Sequence, residues 1–207
     1  MRNVSRRCFL KRGAVGLAAL SGIGMIERLA VFAANPDHPE MADPEHGQGV
    51  SGTLQGATTG LVFMGAYEKA MLEEFGQERT AALQEEAVQY IAKSQAAMIK
   101  EETGIQDFDL ETLHSIVPDL LKDSMGLVFE PIEKTPTQIT YKVGRCPMFE
   151  SSEMLGMEPA AIQGRCRAVA LLYLDLVLKG LNPNASAQLN SFRQTAGDHC
   201  VESIVVS

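Results

Sequence analysis

The sequence contains four cysteines but no Cys-x-x-Cys pair. That spacing is typical of zinc ribbons and thioredoxin-type sites, so its absence excludes both classes. After the uncharged segment 13–26, the sequence has no apolar run long enough to cross a bilayer, since a membrane-spanning helix needs roughly 20 apolar residues. No segment repeats at a fixed period. We therefore expect a non-repetitive mature chain that does not span a membrane.

The first residues carry paired arginines. Arg6 and Arg7 lie in the segment Ser5–Lys11, which matches the twin-arginine (Tat) export signal of bacteria. The 14 uncharged residues of Gly13–Ile26 have the length of a signal-peptide core rather than of a transmembrane helix. We predict a cleaved leader over residues 1–33 and export to the periplasm through the Tat translocase. The alternative is an uncleaved leader that tethers the protein to the membrane.

Removal of residues 1–33 leaves a strongly acidic chain. The leader contains six of the 18 basic and one of the 26 acidic residues, so residues 34–207 keep 12 basic and 25 acidic side chains. A net charge of −13 repels phosphate backbones and anionic lipid heads, which argues against nucleic acid and membrane surfaces as partners. Residues 34–58, rich in Pro, Gly and Asp, are predicted to be a flexible spacer, and residues 59–207 a single domain.

Apolar residues recur at helical intervals in the first part of this domain, and short β-branched runs follow. This pattern predicts N-terminal helices, a hairpin, a long apolar helix and a second hairpin. We expect an α+β fold in which hairpin–helix–hairpin forms a four-stranded antiparallel sheet packed on helices. The predicted segments are helices over about residues 59–75 and 78–102 and from the N-cap Asp109, strands over 126–132 and 138–143, a helix over 158–179, and strands over 189–195 and 199–206.

Loss of Cys8 with the leader leaves three cysteines, an odd number in an oxidising compartment. Cys146 follows the second predicted strand, Cys166 lies in the apolar helix and Cys200 opens the last strand. One interpretation is a single disulfide and one buried thiol. The other is that the three sulfur atoms meet at one site, as metal ligands or as a nucleophile with supporting groups.

The C-terminal part of the chain carries an ordered set of landmarks. They are Cys146-Pro147, Gly156, Cys166, Asn182-Pro183 and Gly197-Asp198-His199-Cys200. Together they resemble the L-2-amino-thiazoline-4-carboxylic acid hydrolase family, from Gly144 to Val205 and more weakly upstream. The resemblance implies ring-opening hydrolysis at a carbon–nitrogen bond of a small cyclic amidine. A cytoplasmic enzyme of that kind would not need export, so the leader departs from this expectation.

One mechanism compatible with this resemblance uses a thiolate that attacks the amidine carbon. Cys166 lies between Arg165 and Arg167, a cationic setting that would lower a thiol pKa. Asp198 sits in a Gly-Asp turn, where turn chemistry is the commoner role. The catalytic candidates are Cys146, Cys166, Cys200, Asp198 and His199.

A second mechanism uses a metal ion, with Zn²⁺ as one candidate cofactor. Cys146, Cys166 and Cys200 would bind it, with Glu153 or His199 completing the set, and the ion would activate a water molecule. The same cysteines suit a different function, a non-catalytic periplasmic module that holds zinc, haem or an iron–sulfur cluster. Export of a folded, cofactor-loaded chain favours this alternative.

Two further patterns concern residues that could bind substrate or face the protein interior. Arg145 and Arg165 are candidates for binding a substrate carboxylate bidentately, or they form salt bridges at an acidic surface. Alternation along the last strand places Cys200 and Glu202 on one side and His199 on the other. Cys200 is therefore predicted to face inward.

Overall fold

The computed structural model describes residues 52–207, and its first element is a long helix. Helix α1 (Gly52–Thr103) is interrupted at Gly76, whose φ of 75° and ψ of 170° are not helical. The two N-terminal helices predicted from the sequence are therefore the two arms of α1. The helix begins at Gly52, within the range 34–58 that the sequence predicts as a spacer, and Leu54 and Thr58 are buried there. The rest of the spacer and the predicted leader lie outside the described residues.

The second helix has the start that its sequence predicts. Helix α2 (Leu110–Met125) is capped by Asp109, whose side chain accepts a hydrogen bond from the backbone N–H of Thr112 at 2.8 Å. It ends at Gly126, which has the positive φ of 69° that favours glycine at a helix C-terminus.

Four strands form one antiparallel sheet in the order β1-β2-β4-β3. The strands are β1 (Phe129–Lys134), β2 (Gln138–Val143), β3 (Ala185–Ser191) and β4 (Cys200–Val206). The predicted α+β fold with hairpin–helix–hairpin forming the sheet is confirmed. The hairpins meet at the central pair β2 and β4, where Val143 lies opposite Cys200.

The segment between the hairpins is more broken than the single predicted helix 158–179. A short helix absent from the prediction, α3 (Pro147–Met154), follows β2 directly. Helix α4 (Pro159–Arg165) then leads into a π-helical turn over Cys166–Leu171, and α5 (Leu172–Leu181) completes the segment. Turns of π-helix are rare in proteins, and those that occur often lie at functional sites.

Helix α5 packs on the sheet and forms the centre of the core. Leu178 is fully buried, as are Ile139 of β2 and Leu113 of α2. Two polar contacts fix this layer: Nδ1 of His114 lies 2.9 Å from the hydroxyl oxygen of Tyr141, and Asp175 accepts a hydrogen bond from the backbone N–H of Ala187. Across residues 52–207, no helix is both long enough and apolar enough to cross a membrane.

Candidate functional site

The fold brings Cys146, Cys166 and Cys200 to one end of the β2–β4 pair. Cys146 is the N-cap of α3, Cys166 opens the π-helical turn and Cys200 opens β4. All three are free thiols, of which Cys166 and Cys200 are buried and Cys146 is half-buried. Burial raises the pKa of Cys166, and the charges of Cys146 and Cys200 act in the same direction. None of these three cysteines forms a disulfide, so the structure does not match the interpretation of one disulfide and one buried thiol.

The residue that organises this cluster is Arg193, which the sequence did not single out. It follows β3 and is 1% exposed, which is unusual for an arginine. Its Nη2 donates to the carbonyl oxygens of Val143 and Gly144, and its Nε donates to the sulfur of Cys200 at 3.4 Å. The guanidinium carbon lies 5.6 Å from the centre of the Phe149 ring, a cation–π contact.

Glu202 supplies the carboxyl group of the cluster. It lies on the same face of β4 as Cys200, as strand alternation predicts. Burial raises the pKa of Glu202 to about 7, although the charge of Arg193 acts in the opposite direction. A carboxyl group with such a pKa exchanges its proton readily near neutral pH.

Cys146 is the thiol best placed to react. Burial raises its pKa to about 11, while the backbone N–H of Phe149 and the charge of Arg193 act to lower it. Its position at the first turn of α3 adds the positive end of a helix dipole. Cys146 is half-buried, whereas Cys166 and Cys200 are buried.

The expectation that flanking arginines activate Cys166 is wrong. Burial raises the pKa of Cys166, and the charge of Cys146 adds to that shift. Neighbours one residue apart on a helix point in different directions. Arg165 turns towards α1 and α3 instead, and Arg167 is exposed.

The two arginines predicted to bind substrate are engaged in salt bridges. Arg145 pairs bidentately with Glu150, with Nε–Oε1 and Nη2–Oε2 distances of 2.8 and 2.9 Å. Arg165 is buried and joins Glu68 of α1 at 3.2 Å and the Ser152 hydroxyl of α3 at 2.9 Å. Of the two alternatives for Arg145 and Arg165, binding of a substrate carboxylate or salt bridges within the protein, the structure shows salt bridges for both.

Three other candidates are exposed. Asp198 accepts hydrogen bonds from the backbone N–H groups of Gln194 and Thr195, at 3.1 and 3.0 Å, and shapes the turn before β4. Hydrogen bonding from the backbone N–H of Gln194 lowers the pKa of Asp198. His199 is exposed while Cys200 is buried, which confirms the predicted alternation. Glu153 is exposed on α3.

The predicted zinc site gains no geometric support. Among residues 52–207, no three His, Cys, Asp or Glu side chains are grouped in an arrangement that could hold a metal ion. The thiols lie near a buried cation, Arg193, whose positive charge disfavours a second cation beside it. The three-cysteine metal centre stays a prediction from the sequence.

Comparison with known protein families gives one match. A family model described as L-2-amino-thiazoline-4-carboxylic acid hydrolase matches residues 57–200. No curated protein matches this chain.

Two solved structures show similarity at low sequence identity. One is a trafficking protein particle complex subunit 3 from Naegleria fowleri covalently bound to palmitic acid, with 11% identity, a TM-score of 0.48, and coverage of 74% of this chain and 96% of that chain. The other is the phenol-responsive sensory domain of the transcription activator PoxR with phenol, with 12% identity, a TM-score of 0.49, and coverage of 75% and 91%.

Proposed function

Since this chain belongs to the L-2-amino-thiazoline-4-carboxylic acid hydrolase family, we propose that it hydrolyses a carbon–nitrogen bond of a small cyclic amidine at a cysteine-centred site. The observation that carries the proposal is the arrangement at the end of β2 and β4, where the buried guanidinium of Arg193 donates to the sulfur of Cys200 and the charges of Arg193 and Glu202 both act on the pKa of the Cys146 thiol. Thiol, proton carrier and fixed positive charge are the parts that nucleophilic catalysis on an amidine needs.

Cys146 is the nucleophile in this proposal. The half-burial of Cys146, its place at the start of α3 and the nearby charge of Arg193 support that role. Its pKa of about 11 means that the resting group is a thiol at neutral pH, so a base must take its proton as it attacks.

Glu202 is the proton carrier. The ionised carboxylate accepts the Cys146 proton while the sulfur forms a bond to the amidine carbon. In the tautomer with a ring N–H and an exocyclic imine, the attack moves the carbon–nitrogen electron pair to the exocyclic nitrogen. That pair re-forms the double bond as the ring carbon–nitrogen bond breaks, and the ring nitrogen takes the proton from the carboxyl group and leaves as an amine. Water then adds to the resulting thioimidate carbon, the bond from this carbon to the Cys146 sulfur breaks, and a proton of the water restores the thiol. No oxidant or reductant enters the cycle.

The test of this function is ring opening by the purified full chain. L-2-amino-thiazoline-4-carboxylate and related cyclic amidines are incubated with the protein, and the ring-opened product is quantified by chromatography. We expect turnover by the wild-type chain and by Gln188→Ala, an exposed residue of β3, and loss of turnover in Cys146→Ala. Full turnover by Cys146→Ala would contradict a cysteine-centred site.

We also propose export by the Tat pathway, with the Tat translocase as the partner of residues 1–33 and the periplasm as the place of action. The paired Arg6 and Arg7 followed by the uncharged run Gly13–Ile26 support this proposal. Fractionation of bacteria that express the full chain tests it. Replacement of both arginines by lysine should retain the protein in the cytoplasm, and unchanged periplasmic recovery would contradict Tat export.

A further inference from the structure

The arm of α1 that precedes the kink exposes a row of large apolar side chains. Phe63, Tyr67 and Phe75 are 61%, 56% and 54% exposed, and Met71 between them is half-buried. These four residues follow one another at intervals of four, which places them in one row along the surface of the helix. Met64, which is 57% exposed, lies beside that row. We call these five residues the outer row.

The opposite side of the same arm is the side that packs on the rest of the protein. Leu61 and Val62 are buried, and Gly65 lies directly against Leu155 and Arg165. At 3.6 residues per turn, Gly65 lies roughly 140° around the helix axis from the centre of the outer row. A surface helix usually has one apolar stripe, which faces its own core. An arm that is apolar on both sides therefore indicates a second contact.

The apolar area of the outer row is large enough for a protein–protein contact. A large aromatic side chain has about 200 Å² of surface, so the exposed parts of the outer row together offer roughly 500 Å². A single soluble chain rarely exposes more than a few hundred Å² of contiguous apolar surface. Two copies that meet through the outer row would remove roughly 1,000 Å² from water, which reaches the lower limit of specific interfaces before flanking atoms are counted.

We propose that the outer row is the interface of a homodimer, in which this arm of α1 packs antiparallel on the same arm of a second copy. A two-fold axis between Tyr67 and Met71 would set Phe63 opposite Phe75 of the partner subunit, and Tyr67 opposite Met71 of the partner subunit. The outer row is then complementary to itself, as a two-fold interface requires. Interdigitation of two rows with a four-residue step gives the commonest class of helix packing, with a crossing angle of about −50°.

A lipid surface is a poorer match to the outer row than a second copy is. Helices that lie on membranes carry lysine and arginine along their polar side. Beside the outer row the exposed charges are mainly acidic, with Glu73, Glu74 and Glu78 against Lys69 and Arg79. Anionic lipid heads would be repelled by this surface. Acidic side chains at the rim of an apolar protein interface, in contrast, remain in water.

The mass of the purified full chain in solution tests this inference. Sedimentation equilibrium should give twice the 22.4 kDa of one chain. Tyr67→Glu should weaken the association by about a hundredfold or more, because it places a charge at the centre of an apolar contact. Tyr90→Glu is the matched control and should leave the dimer unchanged. It makes the same substitution at a tyrosine that is 76% exposed on the second arm of α1, outside the outer row.

A second pair of variants tests the register of the two helices. Phe63→Lys and Phe75→Glu should each be monomeric alone and should associate when they are mixed, because opposite charges then face each other across the interface. If Tyr67→Glu does not fold, this mixture and the wild-type mass still decide. A wild-type chain that stays monomeric would overturn the inference, including a monomer that binds phosphatidylglycerol vesicles through the outer row. A dimer that Tyr67→Glu leaves intact, or that Tyr90→Glu weakens equally, would also overturn it.

Discussion

Nη2 of Arg193 lies 2.7 Å from the carbonyl oxygen of Val143 and so joins the segment after β3 to the end of β2. Val143 in turn lies opposite Cys200 in the β2–β4 register. The arginine therefore holds together the end of β2, which leads to Cys146, and the start of β4 at Cys200. One buried side chain couples the geometry of the thiols to the integrity of the fold.

The first prediction concerns the stability that this contact provides. Arg193→Ala removes the donors of two backbone carbonyl hydrogen bonds and the packing against Phe149, so we expect the free energy of unfolding to fall by about 3 kcal/mol. Urea denaturation measures the change. Arg79→Ala, at an exposed position, should change it by less than about 0.5 kcal/mol. Equal stability of the two variants would show that Arg193 does not organise the cluster.

The second prediction concerns pH. Glu202 must be ionised to accept the Cys146 proton, and burial raises its pKa to about 7. Turnover should therefore rise with pH through about 7 and level off above it. Glu202→Gln should lower kcat by about a hundredfold or more and abolish this inflection. A variant that keeps both the rate and the inflection would remove Glu202 from the mechanism.

The raised pKa of Glu202 also makes the free energy of unfolding depend on pH. Its folded-state pKa of about 7 lies above the ordinary value of 4.5, so the folded protein binds the proton more tightly than the unfolded chain does. The stabilisation that the bound proton gives the folded protein is fully present below pH 4.5 and is lost as the pH rises through about 7. Glu202→Gln lacks that loss, so its stability relative to wild type should grow by about 3 kcal/mol between about pH 4 and pH 8.

The third prediction tests whether Arg165 is a structural residue. Arg165 and Glu68 form a pair with side chains 6% and 25% exposed, whereas Lys134 and Glu111 form one with 50% and 62% exposed. A double-mutant cycle in urea should give a coupling energy of about 1–3 kcal/mol for the buried pair and below about 0.5 kcal/mol for the exposed pair. Similar small values for both would return Arg165 to the candidates for substrate binding.

The strands show where sequence patterns suffice and where they fail. Strand β2 begins and ends as predicted, because Ile139, Tyr141 and Val143 all bury their side chains in the core. Strand β3 lies earlier in the chain than predicted. Its start at Ala185 packs a small residue into the core opposite Val206, a tertiary contact that outweighs low strand propensity.

The site was predictable in part. Cys146, Cys166 and Cys200 follow from their positions at a strand end, a helix and a strand start, and the inward side of Cys200 follows from alternation. Arg193 does not, because it falls in the predicted strand 189–195, where nothing in the sequence indicates that a charged side chain is buried, whereas in the structure it lies beyond the end of β3. Its burial depends on the carbonyl groups of Val143 and Gly144, which are distant in sequence. The landmark Asn182 has a structural role, since its side chain donates to the carbonyl oxygen of Phe108 at 2.7 Å.

The fourth prediction tests the central claim, that Cys146 attacks the substrate. The full chain is mixed with L-2-amino-thiazoline-4-carboxylate, quenched in acid during turnover and digested, and the peptides are analysed by mass spectrometry. The account predicts a covalent adduct on Cys146, no adduct on Cys166 or Cys200, and none in Cys146→Ala. Turnover with no adduct on Cys146, together with full activity of Cys146→Ala, would contradict it.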